Sequence, residues 1–187
     1  MKNILYIIAF LLPLSLFSQE EKVLVITDTT LADQWLTLAN DWHYQKGDNL
    51  EWAKPEFDDS SWQIMTSVNL NMPDGKSITE SNEIVWYRRP IKADSTFNDA
   101  FVFTVYQSGA SEIYLDGVLV HKVGEISSNK DKAKAKFGGN NLYSLPLKRN
   151  KEHMLAVRFQ NIQPDIRILH VYKGISINVH TCIKRLI

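Results

Sequence analysis

The chain has one cysteine, Cys182, among 187 residues, and no excess of either charge, with 21 basic side chains against 21 acidic ones. One thiol forms no intrachain disulfide and builds no cysteine-based zinc cluster. Zero net charge argues against a general nucleic-acid binder, which carries a basic balance. The histidines, at positions 43, 121, 153, 170 and 180, show no HxxxH spacing, so a zinc site has no support. No G-x-S-x-G elbow surrounds Ser108 or Ser111, and no glycine loop of the phosphate-binding kind occurs. Hydrophobic runs are short as well. The longest, residues 4–17, is broken by Pro13 and Ser15 and spans 14 residues, against about 20 for a membrane helix.

That short run follows Met1-Lys2 and precedes Ser18-Gln19, the layout of a secretory signal peptide. Cleavage after Ser18 is expected, with export to the periplasm or beyond. The rest is ordinary globular composition, 44% hydrophobic and 11% aromatic, enough for one domain. The expected organisation is a signal peptide at 1–18, a lead-in at 19–39, one domain at 40–180 and an irregular tail at 181–187.

Beyond residue 80 the side chains alternate with period two. Residues 84–91, 100–106, 111–115, 118–123, 142–147, 153–159, 167–172 and 175–179 read as strands, with weaker candidates at 23–27 and 63–66. Asp116-Gly117 between two β-rich runs is a strong hairpin signal, because both turn positions take positive φ. Many short strands separated by turn residues indicate an all-β sandwich or barrel. One helix is expected, over residues 31–40, with Leu31, Trp35 and Leu38 on one face and Thr30 as its cap.

Residues 42–49 read WHYQKGDN and residues 52–62 read WAKPEFDDSSW. WYRR follows at 86–89, GASEIYLDG at 109–117 and HMLAVRF at 153–159. Together these motifs resemble galactose-binding-like jelly-roll domains. They are most similar to the extracytoplasmic N-terminal sensor domain of bacterial histidine kinases and sporulation-phosphatase-like proteins. The sugar-binding sandwich domain of β-galactosidase-type glycoside hydrolases is a more distant likeness. The resemblance implies a β-sandwich and a non-catalytic, ligand-sensing role, with carbohydrate as the ligand class. Those sensors continue into membrane helices and a signalling module, so a chain ending at Ile187 is expected to be either a free-standing sandwich or the sensory piece of a truncated receptor, attached to a membrane only through a downstream region. The alternatives are an accessory domain of a glycoside hydrolase and a purely structural interaction module.

Several residues carry candidate chemistry. The acids Asp48, Glu51, Glu56, Asp58 and Asp59 offer oxygens for a structural calcium ion, though without the alternation of a dedicated calcium loop. Asp58, Asp59 and Ser60 are equally turn and capping residues. A sugar ring stacks its C–H face on an indole and needs fixed polar groups for its hydroxyls. Asp48, Asn49 and Trp52 supply that mixture within one loop and are the candidate ligand-binding residues. Trp52 serves either as a ring platform or as a plug beneath the loop, whereas Trp42, Trp62 and Trp86 are expected in the core. Arg88 and Arg89 point to opposite faces of one strand, one expected to pair inside and the other to face solvent. Lys130, Lys132, Lys134 and Lys136 form either a cationic face for an acidic glycan or a solvated loop.

Overall fold

The computed structural model describes residues 23–27, 35–38, 40–65, 82–95, 101–107, 109–137, 139–162 and 175–181. The expected signal peptide, the strand at 167–172 and Cys182 lie outside the described residues. In chain order the strands are β1 Leu24–Ile26, β2 Trp35–Thr37, β3 Trp42–Lys46, β4 Gln63–Met65, β5 Ile84–Ala93 and β6 Phe101–Gln107. They continue with β7 Ala110–Leu115, β8 Val118–Val123, β9 Gly139–Leu145, β10 Glu152–Gln160 and β11 Ile175–Thr181. A 3-10 turn, Leu50–Ala53, is the helical element among the described residues. None of their helices is long and apolar enough to cross a membrane.

Two sheets form. The larger runs β4-β3-β5-β10-β7-β8, with β1 parallel to the end of β5, and the smaller runs β2-β11-β6-β9. The all-β sandwich expected from the alternation is therefore present. β5 organises the larger sheet. Along one edge it pairs with β10 throughout, and along the other it pairs with β3 through Val85–Arg88 and with β1 from Ile91. Pro90, which has no N–H to donate, falls in the interval between those two partners.

The main core lies between the sheets. Val85, Tyr87 and Ile91 of β5 and Ile113, Leu155, Val157 and Phe159 meet Phe101, Phe103, Val105 and Leu145 of the smaller sheet. The outward residues of β5 are buried too. Trp86 joins Tyr114 and Ala156 in a second cluster, closed from outside by Ala53 and Trp62. A strand covered on both faces reads as continuously apolar, and β5 is buried through almost its whole length.

Two expectations are corrected here. The helix over 31–40 is not formed in its described part. Trp35–Thr37 is strand β2, antiparallel to β11 through Thr37↔Asn178 and Trp35↔His180. Leu38 sinks completely into the core, and its carbonyl accepts a 2.8 Å bond from the Trp42 indole N–H. Asp41 then turns the chain into β3 with φ +57°. Arg89 does not face solvent. Arg88 and Arg89 do lie on opposite faces, but both faces are covered and both residues are buried. Burial holds the Arg89 guanidinium below its usual value, and Asp41, at 3.7 Å, only partly offsets this.

The β7–β8 hairpin turns where the Asp-Gly pair places it, with φ +50° at Asp116 and +78° at Gly117. β1 and β2 belong to the two sheets, so the sandwich includes strands from the stretch expected as a lead-in.

Candidate functional site

Residues 47–62 cross the outer face of the larger sheet and position the candidate ligand-binding side chains. Gly47 opens the segment at φ +128°, its N–H bonded to Ile84 O at 3.0 Å. A Cβ there would stand 2.9 Å from Cη2 of Trp52, so the indole requires a glycine beneath it. Asn49 Oδ1 then accepts from the Glu51 N–H at 3.0 Å and caps the 3-10 turn.

Arg88 holds the segment to the sheet at several points. Arg88 is fully buried, and its Nε donates to Asp59 Oδ2 at 2.6 Å. Nη1 donates to the carbonyls of Trp52 and of Lys54, the latter at 2.9 Å, and Nη2 donates to Phe57 O at 3.1 Å. The guanidinium also lies 5.5 Å from the Phe57 ring centroid. Asp59 Oδ1 faces His43 Nδ1 at 3.1 Å. The FDDS and WYRR motifs thus meet as the two halves of one buried ion pair. The sequence left open which of Arg88 and Arg89 pairs inside and offered Asp59 for calcium or capping; it is Arg88 that organises the loop, with Asp59 as its counter-ion. The available signal was the presence of both motifs in one chain.

Trp52 is half-buried. Its ring stands edge-on to Trp62 at 5.1 Å and to Trp86 at 6.2 Å, with Phe57 at 6.2 Å. Trp86 in turn stacks on Tyr114 at 5.5 Å. Trp42, Trp62 and Trp86 are all buried. Trp52 therefore caps an aromatic cluster and leaves part of its indole at the surface.

Beside it lies a charged rim. Asp48 receives both Nε and Nη2 of Arg158, each at 2.7 Å, and Nη1 of the same guanidinium donates to Glu112 Oε2 at 2.9 Å. Tyr114 Oη donates to that Glu112 oxygen at 2.8 Å. Burial opposes the charge on Arg158, but hydrogen bonds and attraction from the two carboxylates outweigh it and raise its pKa. Burial, followed by the bond to Glu112, raises the Tyr114 phenol. Acid–base cleavage of a glycoside needs two carboxyl groups facing each other across the bond. Here Asp48 and Glu112 both turn onto one guanidinium.

The other acids of the loop divide among separate tasks. Glu51 pairs with Lys54 at 2.6 Å, and Asp58 Oδ1 accepts from the Ser60 N–H at 3.0 Å. Among the described residues no three carboxylate, histidine or cysteine side chains gather into a metal-holding group.

A second polar cluster ties the hairpin tip to the stretch before β10. Asp116 Oδ2 lies 2.8 Å from His153 Nδ1 and 2.8 Å from Lys151 Nζ, while Oδ1 accepts from the Met154 N–H at 2.9 Å. The Lys148 N–H donates to His153 Nε2 at 2.8 Å. That bond places the imidazole proton on Nδ1, toward Asp116, and occupies the nitrogen a general base would use. Burial alone would raise the Asp116 pKa, but the bonds from Lys151, Met154 and His153 outweigh it and hold the carboxyl below its ordinary 3.8. A depressed carboxyl stabilises the fold above its unfolded pKa and loses that contribution as the pH falls through the folded value. Asp116→Asn keeps the turn but removes the charge. Its stability deficit relative to wild type is expected to be largest near neutrality and to shrink below pH 3.8. Urea denaturation of both proteins across that range checks this.

The geometry defines a β-sandwich module with a loop-covered outer face. No family model matches the chain, and no curated protein matches it. Solved structures do. A β-glucuronidase from Bacteroides uniformis superposes with TM-score 0.55 at 18% identity, covering 78% of this chain and 18% of its own. A glycosyl hydrolase family 2 member from Bacteroides cellulosilyticus gives TM-score 0.56 at 16% identity, covering 79% and 20%. A β-glucuronidase from an uncultured Clostridium gives 0.52 at 16%, covering 79% and 29%. These likenesses establish a shared fold. The chain spans under a third of the length of each enzyme.

Proposed function

We propose that the chain is a non-catalytic accessory sandwich of the kind found within family 2 glycoside hydrolases, and that it contacts carbohydrate at the rim formed by Asp48, Asn49 and Trp52. One observation carries this reading: 78% of the chain superposes on only 18% of a β-glucuronidase, leaving most of that enzyme unmatched. The rim supports the carbohydrate contact, because an indole edge and fixed polar groups stand side by side on a rigid loop.

The test combines a glycan array with turnover assays on aryl β-glucuronides and β-galactosides. Glycan retention without turnover is expected. Trp52→Ala should weaken retention and also cost about 2–3 kcal/mol of stability, less than the loss for a fully buried tryptophan. Asn49→Ala should weaken retention with a smaller stability cost, about 1 kcal/mol for a lost cap. Turnover abolished by a single Asp or Glu substitution would overturn the reading, as would the absence of any retained glycan.

A second reading, the ligand-sensing domain of a signalling receptor, is supported by the WHYQKGDN, WYRR and GASEIYLDG motifs. The coding sequence beyond Ile187 separates the two. Membrane helices there favour the sensor, and a carboxylate-bearing barrel favours the hydrolase module.

A further inference from the structure

The lysine segment at residues 130–136 takes no part in the rim described above. It holds four lysines against one acid, Asp131, in a chain whose 21 basic and 21 acidic side chains balance only as a whole. All four lysines are exposed. Among the described residues no carboxylate lies within salt-bridge distance of any of them, whereas nearby Lys122 is shared between Glu112 and Glu125. Four unpaired like charges repel one another in so short a stretch.

The backbone is nevertheless tied down at several points. Asn129 O accepts from the Lys132 and Ala133 N–H groups at 3.0 and 3.1 Å, and Asn129 Oδ1 accepts from the Asp131 N–H at 3.0 Å. Glu125 and Lys134 exchange two backbone bonds of 2.9 Å. The Lys136 N–H donates to Gly109 O at 2.8 Å, and the buried Gln107 amide donates to Lys136 O at 3.3 Å. Gly124 permits this approach, since a Cβ there would stand 2.5 Å from Lys134 O. The cations are thus mounted on a fixed loop, which lowers the ordering cost of binding. Phe137, the next residue, is 56% exposed.

We propose that residues 130–137 bind an acidic polysaccharide whose sugar units carry carboxylates. The lysine ammonium groups meet the carboxylates, and Phe137 meets the apolar C–H face of a ring. A nucleic acid fits less well, because its dense phosphates call for a broadly basic surface and this chain is neutral as a whole. The inference extends the carbohydrate reading to a second surface, remote in sequence from Asp48, Asn49 and Trp52, and the two fail separately.

The full chain is tested by affinity electrophoresis through gels containing polygalacturonate, neutral pullulan, poly-L-glutamate or single-stranded DNA. Polygalacturonate should retard it most, and added salt should weaken the effect. Lys130→Ala/Lys132→Ala/Lys134→Ala/Lys136→Ala should abolish retardation with an unchanged melting temperature, since the side chains are exposed. Phe137→Ala should weaken polygalacturonate binding about fivefold. The quadruple lysine variant should keep its glycan-array retention at the Asp48, Asn49 and Trp52 rim, so loss of the rim and loss of this surface are told apart. Lack of retardation by polygalacturonate overturns the proposal. So does retardation by poly-L-glutamate or DNA that equals it, because charge alone would then suffice.

Discussion

Asp59→Ala is expected to cost about 3–5 kcal/mol, the range for stranding a buried charge. Arg88 is fully buried, and Asp59 is the carboxylate its Nε reaches at 2.6 Å. Without that partner the guanidinium keeps its bonds to the loop carbonyls but stays charged in a place water does not enter. Arg88→Met removes the charge instead and leaves the carbonyls of Trp52, Lys54 and Phe57 without their donor. In the double variant neither charge is stranded. Equilibrium urea denaturation should therefore show the double variant losing clearly less than the sum of the singles. Simple additivity would mean that the pair does not act as the unit described.

Trp86→Ala carries the other large effect, about 3–5 kcal/mol for truncating a buried tryptophan. Trp86 is fully buried, stacked on Tyr114 at 5.5 Å and edge-on to Trp52 at 6.2 Å. Its indole nitrogen has no partner among the described residues, so the loss is one of packing and not of a hydrogen bond. The 47–62 segment rests on this ring. Near-ultraviolet circular dichroism should change along with stability, because Trp52 and Tyr114 both lose their neighbour. A loss below about 1 kcal/mol, the scale of an ordinary surface change, would show that the second cluster does not support the outer face.

Features set by neighbours in sequence were legible before the structure. Asp116-Gly117 is one, since the residue types themselves select positive φ. The alternation over residues 84–91 and 153–159 is another, and those stretches pair as β5 and β10. What depends on distant partners was not legible. Leu31, Trp35 and Leu38 fit a helical spacing, but β2 is set by its pairing with β11 near the other end of the chain. The alternation at Arg88 and Arg89 was read correctly, yet one face was assigned to solvent. The cover over that strand comes from residues 47–62 on one side and the second sheet on the other. At the candidate site, composition brought Asp48, Asn49 and Trp52 into one loop. It gave no sign that Asp48 is held by Arg158, 110 residues later, or that the loop itself hangs on Arg88.

We propose a carbohydrate-contacting module that performs no cleavage. The most direct measurement is a nuclear magnetic resonance titration of the isotope-labelled full chain with β-linked disaccharides, a β-glucuronide and a β-galactoside among them. Saturable shifts are expected at the Trp52 indole N–H and the Asn49 amides, with every disaccharide recovered intact. Cleavage of a disaccharide during the titration, or shifts that leave both residues untouched, would contradict the proposal.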